Sequence, residues 1–236
     1  MMIKWIETSP LWRKIRVEHH EQMFQGMNLE RAARIQKELS SKLILEWDGR
    51  QVDLVAGADF GYDRKANKIG ASLVVFRLPG FKIVETAEVV RELRFPYIRG
   101  YLAFREGPVF LEAFRKIKSK PDVTLVDGNG IAHPRKMGLA SFVGVTLDIC
   151  TVGCAKQPYY PFEPPPENSG SYTFFKNESG DKVGLSLRTR SGVKPVFVSP
   201  GHRIDLVHAA DITLRCSRFR IPEPLREAHI RASQIF

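Results

Sequence analysis

The stretch VDLVAGADFGYDRKANKIGASLVVFRLPGFKIVETAEVV, residues 52–90, decides the fold. Val52–Asp59, Ile69–Leu78 and Phe81–Val90 are rich in Val, Ile and Phe, residues that suit a pleated, half-buried surface. Gly61-Tyr62-Asp63 and Pro79-Gly80 read as the turns between them. Three consecutive strands on short turns predict an antiparallel meander. Further along the rhythm changes. Leu102–Ile117 reads as a helix, Asp122–Asp127 as a short strand, Met137–Leu147 as a helix of small residues and Ile149–Gly153 as another strand. Strand–helix–strand alternation implies parallel pairing.

A meander followed by parallel strands and helices is the element order of a ribonuclease H-like α/β fold, a mixed sheet flanked by helices. Upstream, Asn28 is placed to cap a helix from Leu29 to about Leu43, whose apolar residues recur at helical spacing. The first twenty-odd residues read as irregular or weakly helical. Downstream come a Pro-rich segment, Gln157–Glu167, a hairpin from Val183 to Val198, and helices around Ile204–Cys216 and Pro224–Gln234. No linker composition interrupts the chain, so residues 1–236 are expected to form a single domain.

Of the 236 residues, 43% are hydrophobic, enough for one sizeable core. The longest apolar stretches, such as Ala71–Leu78, are far too short to span a bilayer, so no membrane association is expected. The N-terminal MMIKWIETSPLWRK carries charges early and has no apolar run, which points to a cytoplasmic protein. Cys150, Cys154 and Cys216 form no C-x-x-C pair, which excludes the usual zinc patterns and suggests buried, reduced thiols. The net charge is +10, with 36 Lys and Arg against 26 Asp and Glu. A polyanion such as nucleic acid is the natural partner of such a field.

Three acids stand where solvated charges are unexpected. Asp59 closes the apolar run Val55-Ala-Gly-Ala, and Asp127 closes Val123-Thr-Leu-Val. Glu106 falls on the apolar face of the 102–117 helix, although Pro108 makes that register uncertain. Carboxylates that converge near a core repel one another unless neutralised. A divalent cation neutralises them, and hard oxygen ligands select Mg²⁺, or Mn²⁺ as a substitute, over zinc. Such an ion serves phosphodiester cleavage. Each acid taken alone better suits a strand end or helix cap; it is the set of three in a basic chain that favours the metal.

Other features are ambiguous on spacing alone. Lys156, just past the strand Thr151–Cys154, suits either a phosphate or solvent. His133, His202 and His229 do not separate into catalytic and packed histidines. Phe95-Pro96-Tyr97-Ile98-Arg99-Gly100-Tyr101 suits a rigid loop that wedges between bases, or one folded onto the core. Asp127-Gly128-Asn129-Gly130 lacks the spacing of a P-loop or a dinucleotide fingerprint, and its glycines suit a close backbone approach to a ligand.

These same segments, in this order, resemble the endonuclease V family. They are Val55-Ala-Gly-Ala-Asp59, Phe95-Pro-Tyr-Ile98, Leu102-Ala-Phe-Arg-Glu-Gly-Pro108, Asp127-Gly-Asn-Gly-Ile-Ala-His-Pro-Arg135, Gly153-Cys-Ala-Lys156, Val198-Ser-Pro-Gly-His202 and Ile221-Pro-Glu-Pro224 through His229. The resemblance covers the chain from about Leu29 onward. It implies a ribonuclease H-like fold and a Mg²⁺-dependent acidic site. By position, Asp59, Asp127 and Glu106 match the family's metal-binding carboxylates, and Lys156 and His229 its other catalytic positions. Tyr97 matches the wedge, with Ile98, Arg99 and Gly100 in the same loop. Gly128, Gly130 and His133 fall in the segment lining the pocket for a flipped hypoxanthine. The implied reaction is cleavage of the second phosphodiester 3′ to a deoxyinosine, with the base left in place.

Two positions depart from the family's pattern. Arg99 stands where the wedge loop usually has a second proline, and Phe142 where the family often has histidine. Arg99 is expected to meet a phosphate beside the wedge, against the alternative of solvent or an ion pair with Glu92. The leading reading is thus a deoxyinosine endonuclease, expected to be a monomer. An enzyme of the same family acting on inosine in RNA is not separable from it by sequence, because contacts to a 2′-OH are not legible there. A non-cleaving nucleic-acid-binding module on this fold is disfavoured, since binding alone needs no buried carboxylates.

Overall fold

The computed structural model describes Phe24 and residues 26–236, so the reading of the N-terminal twenty-odd residues lies outside the described part. Asn28 caps α1 (Leu29–Ser40), its side-chain oxygen accepting from Arg31 N at 2.8 Å. The helix stops at Ser40 rather than near Leu43. Ser40 and Ser41 turn their hydroxyls back onto the carbonyls of Lys37 and Glu38, which competes with helix continuation.

The meander is β1 (Leu54–Asp63), β2 (Lys68–Arg77) and β3 (Lys82–Glu92). There follow α2 (Leu102–Lys116), β4 (Val123–Val126), α3 (Leu139–Leu147) and β5 (Thr151–Ala155). The chain then adds β6 (Tyr172–Lys176), β7 (Lys182–Leu187), β8 (Val196–His202), α4 (Leu206–Arg215) and α5 (Glu223–Ser233). One sheet takes the order β3-β2-β1-β4-β5-β8-β7-β6. β1 pairs antiparallel with β2 and parallel with β4, and β4 pairs parallel with β5. This is the expected ribonuclease H-like arrangement, extended by an antiparallel β8-β7-β6 wing. The predicted hairpin is β7–β8; β6, the aromatic run Tyr172-Thr-Phe-Phe-Lys176, is an additional strand that the expected element order omits.

One correction bears on the site. Gly61-Tyr62-Asp63 is not a turn. β1 runs on to Asp63, paired with Lys68, and the turn lies at residues 64–67, where the Asp63 carboxylate accepts from Lys65 N and Ala66 N. Asp59 is therefore inside β1. It stands one residue past Ala58, whose partner Val126 is the last of β4. The sheet is thus notched beside Asp59, and Asp127 sits in the notch with its N–H on Ala58 O at 3.1 Å.

β1 sends alternate side chains to opposite faces. Ala58 joins the core under α2 and α3, with Leu73, Phe104, Phe110 and Phe142. Val55 joins the core under α4 and α5, with Leu125, Val198, Ile212 and Leu225. Phe142 is fully buried, 5.5 Å ring to ring from Phe104, so this departure fills the core and is out of reach of DNA. On the α5 face, a Cβ on Gly57 would stand 2.1 Å from the carbonyl of Pro224, and one on Gly61 would stand 2.2 Å from Ala232 O. The two glycines flank Asp59 on one face and let α5 lie directly on the strand backbone. Among the described residues no helix is long and apolar enough to cross a membrane.

Candidate active site

The notch collects four of the expected residues. Asp59 is 6% exposed; its Oδ1 accepts from Phe60 N at 2.8 Å. Its Oδ2 lies 2.7 Å from His229 Nδ1, on α5. Lys156, just after β5, reaches back so that Nζ stands 2.6 Å from Asp127 Oδ2 and 3.8 Å from Asp59 Oδ2. Burial and then the Asp59 charge hold the Asp127 carboxyl above its usual range, against the pull of Lys156. Burial works to lower the Lys156 ammonium's pKa, but Asp127 and Asp59 outweigh it and the net direction is up.

Glu106 approaches from the other face. Pro108 lies within α2 without breaking it, and the expected register holds, with Glu106 buried. Tyr62, on the α2 side of β1, donates its hydroxyl to Glu106 Oε1 in a short hydrogen bond. Burial pushes the Glu106 carboxyl up to about 8; Tyr62 opposes this, and the fields of Asp127 and Asp59 add to it.

These groups suit a hard divalent cation. Two carboxylates share one direction, and an ammonium already stands between them, at the place where positive charge is needed. Among the described residues no three His, Cys, Asp or Glu side chains form a closed cage. Two carboxylates, with the other positions left to water and phosphate oxygens, is the common way of binding Mg²⁺.

Beside the notch opens a cavity of about 260 Å³. Tyr97, Ile98, Arg99 and Gly100 form one wall, Asn129 and His133 another, and Tyr159 a third. Phe95 is buried and Ile98 packs on the core, while Tyr97 projects, 73% exposed. The loop is not folded onto the core at its tip. Arg99 pairs neither with Glu92, which meets Arg94, nor with solvent alone: its guanidinium lies 4.9 Å over the Tyr159 ring. Gly128 and Gly130 do not line the cavity; Asn129 between them does. Gly130 lies under β8, where a Cβ would stand 1.9 Å from Pro200 O, and Gly128 takes φ +143°. Smallness at Gly130 serves the packing of the loop, and Gly128 serves its backbone conformation.

His133 is buried, and burial pushes its imidazole down to about 4. Nδ1 faces Arg135 N at 3.2 Å, a donor, so the proton sits on Nε2 and is given to Gly100 O at 3.0 Å. His202 is placed away from the notch, between Ile44 N and Asp148. The three cysteines are buried free thiols, and burial pushes Cys150 and Cys216 up to about 12.

Sequence reasoning missed Tyr62, Asn129, Tyr159 and Gln36. Gln36, whose Nε2 donates to Gly100 O at 3.1 Å in the cavity wall, carried a signal: it is a polar residue on the buried face of α1, with Ala32 and Leu39. Tyr62 was hidden by reading its segment as a turn.

Residues 37–230 match the family model for endonuclease V. An endonuclease V of Kosmotoga olearia is 38% identical over 212 residues, covering 89% of this chain and 93% of the relative. The crystal structure of endonuclease V from Streptomyces avermitilis superposes with a TM-score of 0.84 at 40% identity, covering 88% of this chain and 92% of that one. Endonuclease V from Ciona intestinalis, in complex with a 24mer DNA containing an inosine followed by a ribo-adenosine, superposes with a TM-score of 0.76 at 30% identity, covering 85% and 94%.

Proposed function

The chain belongs to the endonuclease V family and is a nuclease, and we propose that it is a single-domain, Mg²⁺-dependent repair endonuclease that recognises deoxyinosine and cuts the second phosphodiester on its 3′ side. The observation that carries this reading is the convergence of Asp59 and Asp127 on one cation position, beside a cavity flanked by an exposed tyrosine.

Asp59 and Asp127 would hold the ion, with Glu106, oriented by Tyr62, as the third carboxylate behind them. Bound there, Mg²⁺ supplies a Lewis acid for the phosphate and eases ionisation of water. Lys156 gives up part of its contact with the carboxylates to meet a phosphate oxygen. His229 carries its proton on Nδ1 because the Asp59 carboxylate can only accept. That leaves Nε2 as a base for the attacking water, and the side chain is 59% exposed, within reach of substrate. Tyr97 enters the base stack and offsets part of the few kcal/mol that extrusion costs. The cavity behind it receives the base, and Asn129, which lines it, would meet the base edge.

The DNA in the Ciona relative's complex carries a ribo-adenosine after the inosine, which supports inosine RNA as a second reading. Cleavage of matched strands carrying deoxyinosine, inosine or normal bases, in Mg²⁺ and in EDTA, tests both. The proposal expects deoxyinosine DNA to be cut fastest and EDTA to stop the reaction. Faster cutting of the inosine RNA favours the second reading, and equal cutting of all strands removes lesion recognition.

A further inference from the structure

The wedge loop ends in a turn whose second residue has little to restrain it. Tyr101 N donates to Ile98 O at 2.9 Å, and Gly100 takes φ +83° while Arg99 does not take a positive φ. This is a type II turn with Arg99 at its second position, the place where proline fits best because its ring fixes φ. Among the described residues the Arg99 N–H makes no backbone hydrogen bond.

The neighbours of Arg99 are firmly held. Phe95 O accepts from Arg105 Nη1 at 2.8 Å, and Ile98 packs on the core. Gly100 O accepts from His133 Nε2, Arg135 Nη2 and Gln36 Nε2 at 3.0, 2.9 and 3.1 Å. Among the described residues Arg99 has one partner, the ring of Tyr159, 4.9 Å below its guanidinium. Tyr159 is itself fixed against His133 and Tyr160, with ring centroids 5.7 and 5.2 Å away. It comes from the segment after β5, so the stack joins two walls of the cavity.

We propose that Tyr159 is a positioning residue for Tyr97: Arg99, stacked on Tyr159, latches the turn across the mouth of the cavity and fixes the tip from which the Tyr97 ring enters a base stack. The inference rests on Tyr97 being the wedge. A cation–π contact at an exposed site contributes about a two- to fivefold bias between states. Proline at a compatible turn position contributes a bias of about the same size. The two devices are therefore interchangeable, so proline at position 99 has to rescue a lost latch.

The test measures amide hydrogen exchange at Tyr101, whose N–H closes the turn on Ile98 O, in the ligand-free full chain. The variants are Tyr159→Leu, Arg99→Gln and the double variant Arg99→Pro/Tyr159→Leu. Each is also titrated in EDTA with oligonucleotides differing only by deoxyinosine or deoxyadenosine. Both single variants are expected to exchange about two- to fivefold faster at this amide and to lose a similar factor in discrimination. The double variant is expected to recover both. Unchanged exchange in Arg99→Gln, an exposed substitution with no folding risk, overturns the latch, as does a double variant that recovers neither property. A wild-type protein that does not distinguish the two oligonucleotides sinks the proposed function, and the exchange rates then decide the latch on their own.

Discussion

His229 Nδ1 stands 2.7 Å from Asp59 Oδ2, which ties the last helix of the chain to the first strand of its sheet. The contact fixes the histidine tautomer and leaves Nε2 for the proposed role of base. His229→Ala is expected to lower the single-turnover rate on the order of a hundredfold, the low end for general base catalysis, with little change in affinity. An unchanged rate reduces His229 to a carboxylate partner.

That contact depends on glycine. A Cβ at position 57 would stand 2.1 Å from the backbone of Pro224, and backbone yields less readily than a flexible side chain. Gly57→Ala is expected to cost about 1–3 kcal/mol or more of stability and to slow cleavage by displacing α5. Gly80→Ala is the control, since nothing lies within 4 Å of its Cβ position. Equal urea midpoints for the two variants contradict the close seating of α5 on β1.

Tyr97→Ala removes a ring that is 73% exposed, so stability is expected to stay within about 0.5 kcal/mol of wild type. Binding to a deoxyinosine strand is expected to weaken more than binding to an undamaged one. An equal loss on both strands, read by titration, argues against a wedge.

Burial pushes His133 down to about 4 from an ordinary 6.5, so the fold prefers it neutral while the unfolded chain protonates it first. Its contribution to stability is complete above pH 6.5 and is lost as pH falls through about 4, by at most ~3 kcal/mol. Protonation would also set two donors, Nδ1–H and Arg135 N–H, against each other. Relative to wild type, His133→Gln is expected to show a shallower loss of urea stability between pH 7 and pH 4. Parallel curves contradict this assignment.

The meander and the parallel pair were legible because Val and Ile cluster in Val52–Asp59, Ile69–Leu78 and Asp122–Asp127, and the Glu106 face was legible from helical spacing. The notch was not. It arises because β4 stops at Val126 while β2 carries β1 on to Asp63, and where partners end is a property of pairing across long sequence separation. Tyr62 disappeared for the same reason, since glycine and aspartate around it signal a turn unless the partner strand is known. Gly57 and Pro224 lie far apart in the chain, and spacing does not say that one needs the other. Tyr159 sits in a Pro-rich segment without periodicity, so nothing local marks it as a cavity wall.

The central claim is that Asp59 and Asp127 hold the cation for cutting beside deoxyinosine. The most direct measurement maps the cut on a 5′-labelled duplex carrying one deoxyinosine, in Mg²⁺, for wild type, Asp59→Ala and Asp127→Ala. Wild type is expected to give a single product ending at the second phosphodiester 3′ to the lesion. Both variants are expected to give none while still binding the duplex and unfolding cooperatively. A folded Asp59→Ala or Asp127→Ala protein that still cuts at that bond in Mg²⁺ would contradict the account.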